Sequence, residues 1–160
     1  MKLNVKLTDG AELPKHAKPG DAGIDLTSRE TVVLNPGETK LVSTGVAIQL
    51  PAGYVGLVFP RSGLGAKGVN LSNCVGVIDS GYRGEIKVAL HNNHPVVDWE
   101  HPSYDSWHDV SLYRKTMTIV RGDRVCQLVV VPVETVECVA VDKLDDPERG
   151  QGGFGSSGVR

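Results

Sequence analysis

The sequence predicts an all-β domain: a sandwich, jelly roll or barrel of many short strands. Three observations carry this. Apolar residues recur at every second position in short runs, the period of a strand with one buried face. Turns rich in glycine and proline separate the runs at regular spacing, and 19 glycines and 9 prolines supply them. No stretch before residue 100 has a convincing helical period, beyond a turn or two over Arg61 to Lys67.

In chain order, Leu3, Val5 and Leu7 alternate as a first strand. A polar loop with Pro14, Pro19 and Gly20 leads into Asp21-Ala22-Gly23-Ile24-Asp25-Leu26. Thr31 to Leu34 is a short strand, closed by the turn Asn35-Pro36-Gly37. Thr39 to Leu50 follows, with Val46, Ile48 and Leu50 alternating, and Pro51-Ala52-Gly53 turns the chain again. Tyr54 to Phe59 puts Val55, Leu57 and Phe59 on one face. Val75 to Ile78 and then Ile86, Val88 and Leu90 flank a turn that reads as a hairpin. Thr116 to Val120 is a strand, and Arg121-Gly122-Asp123 a turn. Arg124 to Val131 is apolar on both faces and belongs at the centre of a sheet. Val136 to Val141 closes the set.

The 160 residues suffice for one domain with a core of its own, assigned to 1–146. An insertion at about 94–114 interrupts it, and 147–160 form a Gly-rich C-terminal arm. The net charge of -2, with both signs interspersed, gives no footprint for nucleic acid or an anionic membrane. No apolar run approaches the ~18 residues that span a bilayer, and no apolar segment follows Lys2 as in a signal peptide. Cys74, Cys126 and Cys138 make an odd count with no CxxC. Free, mostly buried thiols in a reducing cytoplasm fit better than disulfides or zinc.

The turn Val75 to Glu85 places one carboxylate, Asp79, and one ring, Tyr82, between two apolar runs. Gly76, Gly81 and Gly84 allow backbone shapes that other residues resist. Such a turn can hold a flat base against its backbone, set a ring under a sugar and aim a carboxylate at a water. The plainer reading is a solvated Asp and a Tyr covering a strand.

Two regions depart from the strand pattern. His94 to Arg114 holds Trp99, Trp107, Tyr104 and Tyr113 along with His94, His101 and His108. Histidines seven apart are not a metal-ligand spacing. The segment is a loop packed on its own aromatics or a docking surface for a regulatory protein partner. The tail from Pro147 to Gly158 has a linker's composition, yet it carries Arg149 and a lone Phe154 among glycines and serines. Its free backbone N–H groups could wrap phosphates.

Five segments together resemble the trimeric deoxyuridine triphosphate nucleotidohydrolases, or dUTPases. They are Ala22 to Leu26, Pro60 to Leu64, Asn73 to Gly84, Gly122 to Leu128 and Arg149 to Gly158, in that order. The resemblance implies a jelly-roll-like distorted β-barrel, a homotrimer with active sites shared between subunits, and Mg²⁺-assisted hydrolysis of dUTP to dUMP and pyrophosphate. It implies that Asp79 orients the attacking water and takes its proton. It implies that Asp25 holds the waters of the Mg²⁺ ion, and that Arg61, Ser62, Gly63 and Gln127 bind the phosphates. Tyr82 resembles the ring against the deoxyribose. Asn73, with the backbone of Gly76 and Ile78, resembles the uracil slot. Arg149, Phe154, Ser156 and Ser157 resemble the closing arm, with Arg149 at the γ-phosphate and Phe154 over the base. Asp123 and Arg124 read as turn and ion-pair residues. A dCTP deaminase of the same fold is the rival; it is expected to use a Glu near the base and to lack the Phe-bearing arm.

Overall fold

The structure, a computed structural model, describes residues 1–8, 10–96 and 115–145. The described residues form β1 (Asn4–Leu7), β2 (Ile24–Thr27), β3 (Val32–Leu34), β4 (Thr39–Gln49) and β5 (Tyr54–Pro60). One helical turn, α1 (Ser62–Gly65), follows. The remaining strands are β6 (Val69–Leu71), β7 (Gly76–Ile78), β8 (Glu85–Asn92), β9 (Met117–Ile119) and β10 (Arg124–Pro132). They build two four-stranded sheets, β1-β4-β8-β6 and β2-β10-β5-β7, and a two-stranded ribbon β3-β9. Every strand pair is antiparallel. Two four-stranded antiparallel sheets are the jelly-roll-like, all-β architecture that the sequence predicts.

The two sheets bury one core between them. From β8, Ile86, Val88 and Leu90 point inward; from β10, Val125, Cys126 and Leu128 do. Consecutive Val125 and Cys126 are both buried because the β2–β10 register shifts between Arg124 and Cys126. As expected, β10 is central, paired on one edge with β2 and on the other with β5. In β5 it is Gly56 and Val58 that are fully buried, while Val55, Leu57 and Phe59, on the opposite face, are half-buried. Gly56 is required there: a Cβ would sit 3.0 Å from Leu128 Cδ1 and 3.2 Å from Ile78 Cβ.

Three expectations are corrected. The stretch Val136 to Val141 is not a strand; Val136, Val139 and Val141 are exposed, with no strand beside them among the described residues. An apolar-rich run alone forms no strand when no sheet edge accepts its hydrogen bonds. The thiols are free, but only Cys126 is buried; Cys74 and Cys138 are exposed. The flanks of Asp79 and Tyr82 do not form a hairpin. Strand β7 pairs with β5 in one sheet, and β8 pairs with β4 and β6 in the other. Strands β2 and β6, of four and three residues, are too short for alternation to reveal them.

At the head of β8, Glu85 fastens the β4 bulge. Its Oε1 accepts from Ser43 Oγ and, at 2.7 Å, from the Gly45 N–H. Gly45 has φ +70°, and a Cβ there would lie 2.6 Å from Ala11 Cβ. Partial burial pushes the Glu85 carboxyl up. The bonds from Ser43 and Gly45, with Lys87 and Arg29 nearby, outweigh that, and the net shift is downward from 4.5. A lowered folded value means stability present above the ordinary carboxylate range and lost as pH falls through the folded value. Glu85→Gln is therefore expected to lower the urea midpoint at neutral pH, with the gap to wild type closing below about pH 4.5. A gap independent of pH contradicts this.

Candidate active site

The chain between β7 and β8 crosses from one sheet to the other, and its residues line a cavity of about 270 Å³. Asn73, Gly76, Ile78, Asp79 and Tyr82 all line it, with Val58 and Val88 at its apolar wall. The crossing is built by local bonds. The Tyr82 N–H donates to the Asp79 carbonyl at 3.0 Å, and the Tyr82 hydroxyl donates to the Glu85 carbonyl at 2.9 Å. Arg83 Nη1 donates to the carbonyls of Ser80, at 2.6 Å, and Tyr82, at 2.8 Å. Asp79 is exposed at the end of β7.

Gly76 and Gly84 act by space, not by φ, and Gly81 faces open space. None of Gly76, Gly81 and Gly84 has a positive φ; the left-handed residue is Cys74, at φ 61°. A Cβ on Gly84 would lie 2.4 Å from the Tyr82 hydroxyl, so the ring lies over Gly84. Ahead of β7, the Cys74 N–H donates to the Leu71 carbonyl and the Val75 N–H to the Asn73 carbonyl, which turns Asn73 toward Gly76.

A second cluster lies at the β2–β10–β5 junction. Asp25 and Gln127 are cross-strand partners, and Gln127 also faces Phe59, one residue before Pro60. Arg61 follows directly and starts α1 in extended conformation. Its Nε lies 2.9 Å from Asp25 Oδ1, and Arg124 Nη1 lies 3.2 Å from Asp25 Oδ2. Two guanidinium groups thus share one mostly buried carboxylate and leave the cluster positive. Gln127 Nε2 donates to the Pro60 carbonyl at 3.3 Å, and bare Gly23 makes room for its Oε1. Ser62 and Gly63 open α1, where first-turn N–H groups have no intrahelical acceptor. Beside this cluster the Cys126 thiol is pushed up to about 12, first by burial and then by the Asp25 charge. It is no nucleophile.

The predicted residues therefore fall into two groups. Asn73, Gly76, Ile78, Asp79 and Tyr82 share the cavity. Asp25, Arg61, Ser62, Gly63 and Gln127 share the junction, and none of these five lines the cavity. Arg149, Phe154, Ser156 and Ser157 lie outside the described residues, as does 97–114 of the segment at 94–114. Asp123 is a turn residue, its Oδ2 accepting from the Val120 N–H at 2.9 Å. The sequence reading missed Lys87, which lines the cavity between inward-facing Ile86 and Val88. The alternation of β8 marks it as facing out, and could have found it.

Among the described residues, no three His, Cys, Asp or Glu converge as a metal-ligand set. A single carboxylate at a positive junction does not fit a resident metal cage. It does fit a Mg²⁺ ion that keeps most of its waters and meets the protein through them.

Comparison with known proteins follows the same lines. Residues 9–97 and 109–158 match the family model described as dUTPase. The deoxyuridine 5'-triphosphate nucleotidohydrolase of Nocardia farcinica is 48% identical over 154 residues, 96% of this chain and 82% of that protein. The Cutibacterium acnes protein of the same description is 49% identical over 92% of this chain and 86% of its own. In structure, the Staphylococcus bacteriophage 80alpha dUTPase with dUPNHPP matches with a TM-score of 0.82 at 35% identity, covering 99% of each chain. The dUTPase of phage phi11 of S. aureus, described with a species-specific insert, matches at 0.73 and 32%, over 91% of this chain and 99% of that one. Another phi11 dUTPase structure is described as coordinating a structural Mg(II) ion.

Because the Tyr82 ring lies over Gly84, a Cβ there must displace it and break the bond to the Glu85 carbonyl. Tyr82→Phe is expected to cost about 0.5–1 kcal/mol in the wild-type background and nothing in Gly84→Ala, by urea unfolding. An equal loss in both backgrounds contradicts the seating of the ring.

Proposed function

This chain belongs to the dUTPase family, and we propose that it hydrolyses dUTP to dUMP and pyrophosphate, which keeps uracil out of DNA and supplies dUMP for thymidylate synthesis. The observation that carries the reading is the cavity at the β7–β8 crossing, where Asn73, Gly76, Ile78, Asp79 and Tyr82 meet. A water attacks the α-phosphorus, and pyrophosphate leaves. Asp79, exposed at the cavity edge, orients that water and accepts its proton. Tyr82 lies against the deoxyribose and excludes a 2′-hydroxyl. Asn73 and the backbone of Gly76 and Ile78 read the uracil edge. Arg61, Ser62, Gly63 and Gln127 hold the phosphates, and the positive junction around Asp25 supports that role. Bound Mg²⁺ would offset phosphate charge and hold the triphosphate bent; Asp25 would hold its waters. Arg149, Phe154, Ser156 and Ser157 close the site from the tail.

The working unit is a homotrimer with each site drawn from more than one chain. Two things support it. The junction residues do not line the cavity of their own chain. A run of exposed apolar residues, Val133, Val136, Val139, Val141 and Leu144, offers surface that association buries. The free cysteines support a cytoplasmic setting. The aromatic segment 94–114 serves as a docking surface for a regulatory protein; its four tryptophan and tyrosine side chains support this.

A nucleotide panel with Mg²⁺ tests the reaction. Pyrophosphate release from dUTP is expected to far exceed that from UTP, dTTP or dCTP, with no ammonia from dCTP. Equal turnover of UTP removes the sugar role of Tyr82, and ammonia from dCTP decides for a deaminase. Asp79→Asn is expected to lower turnover by about 10²–10⁴-fold while nucleotide still binds. Near-normal turnover removes Asp79 as the base.

A further inference from the structure

Only seven residues separate Arg61 from the start of the next strand, and little packing holds them. No residue of α1 is buried, and Leu64 alone packs against the core, at partial burial. The segment is instead a chain of successive backbone bonds. Leu64 and Gly65 donate to Arg61, Ala66 to Ser62, Lys67 to Leu64 and Gly68 to Gly65, all within 2.8–3.0 Å. A segment linked this way moves as a unit, so its position is set at its two ends. At one end Arg61 is held by Asp25.

The other end is held from β8. The Asn93 N–H and Nδ2 both donate to the Gly68 carbonyl, at 2.8 and 3.1 Å. His94 Nε2 donates to the Lys67 carbonyl at 3.1 Å. The Nε2 edge of its ring lies against Gly68, where a Cβ would sit 2.9 Å from Nε2; Gly68 also has φ +84°. The ring has a fixed base. The His94 N–H donates to Oδ1 of Asn92, which is fully buried and whose Nδ2 donates to the carbonyls of Leu34 and Lys115. Core, β3, the chain before β9 and the end of α1 thus meet at Asn92–His94.

We propose that His94 is a positioning residue for phosphate recognition: it pins the Lys67 end of the turn that presents Arg61, Ser62 and Gly63. This rests on the reading of that turn as the phosphate holder. Neither Asn73 nor Tyr82 belongs to the turn, so loss of the pin is expected to act on the phosphates and spare the nucleoside.

The test compares binding of dUPNHPP and of deoxyuridine, the latter by competition, to full-length wild type, His94→Ala, His94→Leu and His94→Gln. Ala and Leu are expected to weaken dUPNHPP about three- to tenfold, the size of one neutral hydrogen bond. Deoxyuridine is expected to be unchanged, and Gln, which keeps a donor at similar reach, to restore dUPNHPP binding. In turnover Ala and Leu should raise KM and leave kcat near wild type, and Gln should keep both. Leu keeps the bulk where Ala does not fold. Equal weakening of both ligands, or Gln behaving like Leu, makes the role merely structural and overturns the proposal. So does unchanged dUPNHPP binding in Ala and Leu. Wild type binding dUPNHPP no more tightly than deoxyuridine overturns the phosphate reading itself, and the proposal with it.

Discussion

A β-strand has two hydrogen-bonding edges, and in this fold β8 pairs with β4 along one edge and, over Leu90–Asn92 alone, with β6 on the other. Strand β7 precedes β8 by only a few residues but does not pair with it. It pairs with β5 instead, in the facing sheet. The chain between them must therefore cross the gap of roughly 10 Å between packed sheets. That crossing carries Asp79, Tyr82 and Gly84. Its backbone bends at the open side of the core, where a concave wall of Val58 and Val88 lies behind it. The cavity follows from β7 joining β5 in one sheet while β8 stays with β4 and β6 in the other, not from any special property of the turn residues.

Strand β10 plays the matching part at the other group. With β2 on one edge and β5 on the other, it sets Asp25 opposite Gln127 and brings Arg61 off the end of β5 within reach of Asp25. Two arginines on one mostly buried carboxylate form a charged junction that is positive overall and preorganised for anions. Arg61, directly before α1, is then held by Asp25, and His94 bonds to the far end of the segment that follows it. The group around Asp79 and the group around Arg61 are each held by bonds within one chain, yet the second does not line the cavity of the first. In the proposed oligomer a neighbouring chain brings the two groups together.

Much of this was legible in the sequence because the longer strands alternate cleanly. Val46, Ile48 and Leu50, and Ile86, Val88 and Leu90, all went into the core as their period indicates. What was not legible was pairing. The runs around Asp79 and Tyr82 resemble a hairpin locally, and nothing in residues 75–90 states that β7 joins β5 instead of β8. The same gap misplaced Val136 to Val141, an apolar-rich run that meets no partner among the described residues. Asn73, Gly76, Ile78, Asp79 and Tyr82, singled out by type and order, line one cavity. The reason for Gly84 was not legible: the sequence suggested an unusual φ, and the structure shows a ring in its place. The roles of Arg149, Phe154, Ser156 and Ser157 lie outside the described residues and rest on the family pattern.

The central claim is that the group around Asp79 on one chain works with the group around Arg61 on another. Mixing two inactive variants tests it directly. Asp79→Asn and Arg61→Ala are each purified, unfolded together and refolded, with mass measured to show that mixed oligomers form. If sites are shared, a mixed oligomer contains an intact Asp79 facing an intact Arg61, and dUTP hydrolysis returns to a sizeable fraction of wild type. If mixed oligomers form and hydrolysis does not return, both groups act within one chain and the account is wrong.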